Sequence, residues 1–372
     1  MTTVINGNLT VNGTITTYLD SRLDSLPENS TFRFGSIPLS VSSSGSYAGG
    51  VLAPNGLIFC VPSEETNVLI IDPVTNTMDN TTITGLPAGQ GKWRGAVLAP
   101  NGLIFCIPYN ATNVLIIDPI AKTVDTTSIT GLDPSTDKWN GGVLAPNGKI
   151  YCIPSVATSV LIIDPVAKTA DTTSIPVPAG FLKYAGGVLG PDGKIYAIPY
   201  VNFDILIINP ANNSVESISI LPVPFAPNLW RFNSGALAPN GKIYLSPNQC
   251  RYVGVFDPLT KTISYFSKEL TNYGDVGTSF AGAVCAPNGK VYLIPRRSTS
   301  STPPYVPIID PLTNTADVTS ITIPNTEGYI GGVLAPNGNI YCVPQRSTQI
   351  LVIRTGLPSV APWMLQPQFN KL

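Results

Sequence analysis

The chain contains no histidine among its 372 residues. That removes the commonest general base and the commonest neutral metal ligand. Ser-His-Asp and Cys-His catalysis are excluded with it, because neither works without an imidazole. Charge is also scarce. Asp, Glu, Lys and Arg make up 12% of the residues and nearly cancel, leaving a net charge of −1. No basic stripe is present to predict a nucleic-acid or anionic-membrane partner. Long apolar runs are missing too. The longest are strand-sized, such as Val68 to Ile71, so no segment is expected to span a bilayer as a helix. The opening Met1-Thr2-Thr3-Val4-Ile5 lacks the basic region and apolar run of a secretory signal. Through the body of the chain the 3.6-residue periodicity of helices is absent as well.

What the chain has in quantity is glycine (33), proline (36) and hydrophobic residues (43%). This is the composition of many short strands joined by tight turns. They are organised as one phrase written seven times: aromatic-x-Gly-Gly-Val-Leu-Ala-Pro-Asn-Gly, then Ile-Tyr-x-Ile-Pro, then Val-Leu-Ile-Ile-Asp-Pro, then Thr-x-Ile. Its turn glycine falls at Gly56, Gly102, Gly148, Gly193, Gly241, Gly289 and Gly338. Strand-rich repeats of roughly 40–50 residues point to propeller blades. In the second repeat, strand one is expected over 93–99 and strand two over 103–107. Strand three is expected over 114–117 and strand four over 126–130. Asn101-Gly102 is expected to form the hairpin turn by adopting positive φ. Small pairs such as Gly49-Gly50, Gly95-Ala96, Ala281-Gly282 and Gly331-Gly332 suit innermost strands that crowd together near an axis. The fold class is therefore all-β: a seven-bladed propeller of four-stranded antiparallel blades.

The seventh repeat runs through Ile350 to Ile353 and then breaks its pattern, reading Arg354-Thr355 where others read Asp-Pro. No fourth strand follows. Phe34-Gly35-Ser36-Ile37-Pro38-Leu39 resembles the fourth-strand stretch Thr172 to Val177. Residues 31–39 are thus expected to close the ring as the outer strand of the last blade, removing an exposed edge. The chain divides into an N-terminal segment (1–30), the propeller (31–355) and a Pro-rich tail (356–372).

These repeats, with their Pro-Asn-Gly and Ile-Asp-Pro turns, resemble seven-bladed propellers of the surface-layer or lactonase-like superfamily. Propellers host many unrelated activities. The lactonase likeness implies one alternative: a metal-dependent hydrolase holding Ca²⁺ or Mg²⁺ through oxygen ligands. Glu64, Glu65, Asn202 and Asp204 would be the contributors. Within 1–30, Val4-Ile5-Asn6-Gly7 and Val11-Asn12-Gly13 repeat a short turn pattern, and Leu19, Leu23 and Leu26 mark one face of a short helix. This segment is similar to the anchoring and trimerising pieces of phage and virus fibre proteins. The resemblance implies a homo-oligomer, a trimer, and a virion or extracellular setting. A plain leader into the closing strand is the other reading.

Several residue sets could carry binding. An aromatic opens strand one of every repeat, Trp93, Trp139 and Tyr184 among them; it could rim the channel and stack on a sugar, or more simply pack between blades. Lys92, Lys138, Lys183 and Arg231 precede it in blades two to five. They could form an arc for an anionic group, or merely solvate a loop. The Asp row at 72, 118, 164, 257 and 310, with Asn209 in blade four, reads as turn capping before Pro. Cys60, Cys106, Cys152 and Cys342 share one strand-two position where Ala197 stands in blade four. This is hydrophobic use of free thiols, neither a disulfide framework nor a metal spacing. The loops after strand two and before strand one vary from blade to blade, and they carry Tyr109, Tyr200, Arg296 and Arg346. A uniform scaffold with one diversified face is how propellers mount binding sites. The sequence is best read as a non-enzymatic binding protein of fibre or attachment type, without cofactor or metal, whose varied face meets a host glycan or protein. An intracellular interaction scaffold is a further alternative.

Overall fold

The computed structural model describes residues 29–35, 46–222, 230–248, 250–266, 270, 280–296, 305–323 and 328–356. Twenty-eight strands form seven four-stranded antiparallel sheets. The fold is the expected seven-bladed propeller. The two end segments, apart from residues 29, 30 and 356, lie outside the described residues.

In the second blade the strands are β6 (Trp93–Leu98), β7 (Ile104–Pro108), β8 (Leu115–Asp118) and β9 (Thr123–Asp125). The outer strand is earlier and shorter than the expected 126–130. Asp125 Oδ1 accepts the N–H groups of Thr127 and Ser128, at 2.9 and 3.0 Å, and this side-chain cap bends the chain out of the ladder. Ile129 then returns inward, where it is buried and its carbonyl accepts the Val114 N–H.

The hairpin between β6 and β7 also differs from expectation. Only the glycine of Pro-Asn-Gly has positive φ, +81° at Gly102. The asparagine instead accepts the N–H of residue 103 on its Oδ1. This is a three-residue loop ending in a left-handed glycine rather than a two-residue turn. The asparagine's amide is thereby left to reach the next blade: Asn101 Nδ2 donates to the Pro165 carbonyl at 2.8 Å.

Strand one carries a bulge in all seven blades. The small residues sit in it because neighbouring inner strands nearly touch. A Cβ on Gly282 would stand 2.8 Å from the Gly331 Cα. In blade six the register makes the small pair Gly282-Ala283, since Ala283 opposes Leu293 as Ala96 opposes Cys106. The expected pairing Ala281-Gly282 was one residue early.

The hydrophobic core is divided into seven layers, each shared between two adjacent blades. Val51, Phe59 and Val61 of blade one meet Trp93, Ile104 and Leu115 of blade two in one such layer. All six cysteines are free and buried.

The ring closes as an N-terminal strand laid on the last blade. β1 (Ser30–Phe34) pairs antiparallel with β28 (Ile350–Arg354), Ser30 opposite Arg354 and Phe34 opposite Ile350. The strand begins one residue earlier than expected. Residues 36–39 of the expected closing strand lie outside the described residues.

Candidate functional site

The site follows from strand alternation. On strand one the aromatic points into the layer between blades, so its successor points the other way, toward the axis. Those successors are Ala48, Arg94, Asn140, Ala185, Asn233, Ala281 and Ile330, and all seven line one cavity of about 270 Å³. Four blades contribute small or apolar side chains. Arg94 on β6, Asn140 on β10 (Trp139–Leu144) and Asn233 on β18 (Phe232–Leu237) supply the polar ones. The cavity is completed by the loops after strand two: Tyr109, Ser155, Tyr200, Arg296 and Gln345, with Asp137 and Leu182. It is therefore the mouth of the central channel on the varied-loop face.

One cation of this mouth is Arg296, directly after β23 (Val291–Pro295). Burial pushes its guanidinium below the ordinary value. The nearby Arg94 and Arg346 push the same way, while a hydrogen bond with the Tyr200 side chain opposes them. Arg94 lies over the Tyr109 ring, Cζ 3.9 Å from the centroid. Burial raises the Tyr109 phenol above its ordinary value, as does its hydrogen bond to Asp137. Tyr200 stacks on Trp230, with ring centroids 6.1 Å apart and planes at 17°. Trp230 is 39% exposed, so this pair offers an aromatic surface to solvent.

The sequence candidates divide sharply by position. Tyr109, Tyr200 and Arg296 line the cavity, and Arg346 is exposed within electrostatic reach of Arg296. Trp93, Trp139 and Tyr184 are buried in the inter-blade layers. Their polar ends are fastened to the start of strand three of their own blade or to the loop just before it. Trp93 Nε1 donates to the Asn113 carbonyl at 3.0 Å, Trp139 Nε1 to Ser159 at 2.8 Å, and the Tyr184 hydroxyl to Asp204 Oδ2 at 2.7 Å.

Lys92, Lys138, Lys183 and Arg231 are buried too. Lys92 Nζ donates to the carbonyl of Glu65 at 3.0 Å, Lys138 Nζ to Ser135 at 2.8 Å, and Lys183 Nζ to Ala157 at 2.7 Å. Arg231 donates to the Val201 carbonyl and lies over the Phe203 ring. Their backbone N–H groups bond the loop of the preceding blade: Lys92 to Ser63, Lys138 to Tyr109, Lys183 to Ser155 and Arg231 to Tyr200. These residues rivet adjacent loops of the varied face together, Lys138 through its backbone N–H and the others through side chain as well.

Glu64 and Glu65 lie on blade one, beside Lys92, whereas Asp204 lies on blade four with its carboxylate engaged by Tyr184. The two pairs thus sit on non-adjacent blades. Among the described residues no group of three or more His, Cys, Asp or Glu side chains could hold a metal ion.

The axial residues Arg94, Asn140 and Asn233 were not among the sequence candidates. They occupy the variable position of aromatic-x-Gly-Gly. The signal was partial: alternation turns both neighbours of a buried aromatic the other way and does not say which of them reaches the axis.

No protein-family model matches the chain, and no curated protein matches its sequence. Solved structures do resemble it in fold. A streptogramin B lyase superposes with a TM-score of 0.67 at 14% identity, covering 87% of this chain and 96% of its own. A catalytically inactive virginiamycin B lyase from Staphylococcus aureus, solved with quinupristin, gives 0.67 at 12% identity, covering 87% and 98%. Kuenenia stuttgartiensis hydrazine synthase gives 0.61 at 15% identity, covering 86% and 99%. Proteins of such different chemistry share the ring; at these identities the likeness defines the fold class, a seven-bladed propeller, and nothing finer.

Proposed function

We propose that this chain is a non-enzymatic binding propeller, a head displayed for attachment in the manner of a virion fibre. Its channel mouth would receive a host glycan or protein. Residues 1–30 would assemble it, as a trimer, and hold it to its support. The observation that carries this reading is the placement of the described chain ends. Asn29 Oδ1 accepts the Tyr292 hydroxyl at 3.0 Å, and the Thr355 carbonyl accepts Asn288 Nδ2 at 2.9 Å. Asn288 belongs to the Pro-Asn-Gly turn of blade six. Both ends therefore lie on the uniform-turn face, opposite the mouth. An anchor leaving there points the varied face outward.

The test is retention of the full chain on an array of host glycans and on host-surface proteins, beside an Asn140→Trp variant that obstructs the mouth. Retention that the variant abolishes supports the reading. Retention unchanged by the obstruction, or none at all, overturns it.

A further inference from the structure

Arg296 combines three properties. It lines the cavity, it is half-buried, and two more guanidinium groups stand near it. Its hydrogen-bonding partner is the Tyr200 side chain. No ion pair of Arg296 with a carboxylate occurs among the described residues. A buried charge is costly unless it is paired. The single carboxylate of the lining, Asp137, is hydrogen-bonded to Tyr109 and belongs to the loop entering blade three. Arg94 is held over the Tyr109 ring, Cζ 3.9 Å from its centroid, which restrains the guanidinium at the mouth. The mouth thus carries an excess of positive charge in partly enclosed, low-dielectric surroundings, where an arriving anion gains most.

We propose that the channel mouth is an oxyanion site, in which Arg296 and Arg94 bind the carboxylate of an acidic sugar. Guanidinium and carboxylate match as bidentate partners, with short charge-assisted bonds. Asn140 stands on the same axial ring and offers an amide to a hydroxyl. The near-parallel Tyr200 and Trp230 offer a flat aromatic surface beside the cation, suited to the apolar face of a sugar ring. Arg346, exposed at the rim, steers the anion inward rather than holding it. The inference rests on the reading of this mouth as a binding site and narrows its ligand to a saccharide bearing a carboxylate.

The experiment uses the full chain and two probes, glucuronate and its neutral counterpart glucose, titrated by calorimetry. In parallel, chloride-35 line broadening reports anion exchange at the arginines. Glucuronate is expected to bind and to displace chloride; glucose is expected to do neither. Arg296→Gln should weaken glucuronate by about tenfold to a hundredfold, the span of one charge-assisted contact. Arg94→Gln serves as an independent variant should the first fail to fold. Equal binding of the two sugars, no glucuronate binding, or affinity unchanged in a folded variant each overturns the proposal. Glucuronate bound at Arg296 by a chain that retains no host glycan or protein would uphold this site while defeating the attachment reading. Retention on a receptor that neither glucuronate nor Arg296→Gln disturbs would do the reverse.

Discussion

The side-chain amide of Asn55 donates to the carbonyl of Pro119, 2.8 Å away and 64 residues further along the chain. The same latch joins Asn101 to Pro165, Asn147 to Pro210, Asn240 to Pro311, Asn288 to Thr355 and Asn337 to Pro73. Each spans the seam between two blades on the uniform-turn face. The repeated asparagine is therefore an inter-blade tie as well as a turn residue. Blade four has Asp192 at this position, and its carboxylate accepts the Tyr196 hydroxyl at 2.9 Å. A carboxylate has no N–H to donate, so this latch cannot form when Asp192 is ionised.

Asp192→Asn should supply the missing donor toward blade five. The expected gain is about 0.5–1 kcal/mol, the net worth of one neutral hydrogen bond. Asn337→Ala should lose a similar amount, because it opens the tie between the last blade and the first. Denaturant melts of the two variants should move in opposite directions from the parent; movement the same way would reject the latch.

Gly95 and Gly102 both have positive φ but stand in different surroundings. A Cβ on Gly95 would meet the Gly141 Cα at 2.9 Å, backbone against backbone, whereas one on Gly102 meets nothing within 4 Å. Gly102→Ala should cost about 1–2 kcal/mol, the left-handed penalty alone. Gly95→Ala should cost about 3 kcal/mol or more, because it also forces two inner strands apart. Similar melting temperatures for the two would remove the argument for axial crowding.

The closing strand can be separated from the segment before it. Phe32 and Phe34 of β1 pack against the layer that holds Tyr341 and Val352, and the Phe34 and Tyr341 rings meet edge to face at 6.3 Å. A chain beginning at Asn29 should remain a folded monomer by light scattering. A chain beginning at Gly35 should aggregate, because the β28 edge is then bare. The full chain should scatter as a trimer. A monomeric full chain would defeat the oligomeric part of the proposed function and leave the ring closure untouched.

Acid should loosen the outer strands. Hydrogen bonds from the Ser174 hydroxyl and the Thr173 N–H hold the Asp171 carboxyl at about 2, below its ordinary 3.8. Because the folded-state value is depressed, the stabilisation is fully present above the unfolded value and is lost as pH falls from about 4 toward 2. Asp79 and Asp317, capped the same way, are also held at about 2. Asp171→Asn should be less stable than the parent at pH 7, with the difference shrinking toward nothing as pH falls through about 2. A difference that stays constant over that range would show that the charge plays no part.

The thiols should be inert. Burial pushes the Cys250 thiol up to about 11 and the Cys285 thiol up to about 12, and raises the thiols of Cys60, Cys106, Cys152 and Cys342 as well. A disulfide reagent at neutral pH should titrate none of the six rapidly in the native chain and all six in denaturant, since the thiolate is the reacting form. Fast native reaction at any one would locate a local opening.

The sequence by itself determined the number of blades, the order of strands within each and the closure by an N-terminal strand. These depend on local period, turn chemistry and repetition, all of which are read directly from the order of residues along the chain. It also marked the varied loops that supply Tyr109, Tyr200 and Arg296 to the mouth. Only the tertiary structure decided which repeated side chains face the axis. Lys92 and Arg94 are two residues apart, yet one spends its charge on a carbonyl of the neighbouring loop and the other lines the cavity. Spacing alone does not tell them apart. Whether a cation is buried in a seam or faces the channel depends on where the adjacent blade lies, and that is set by packing across some 46 residues of intervening chain, the interval from Gly56 to Gly102.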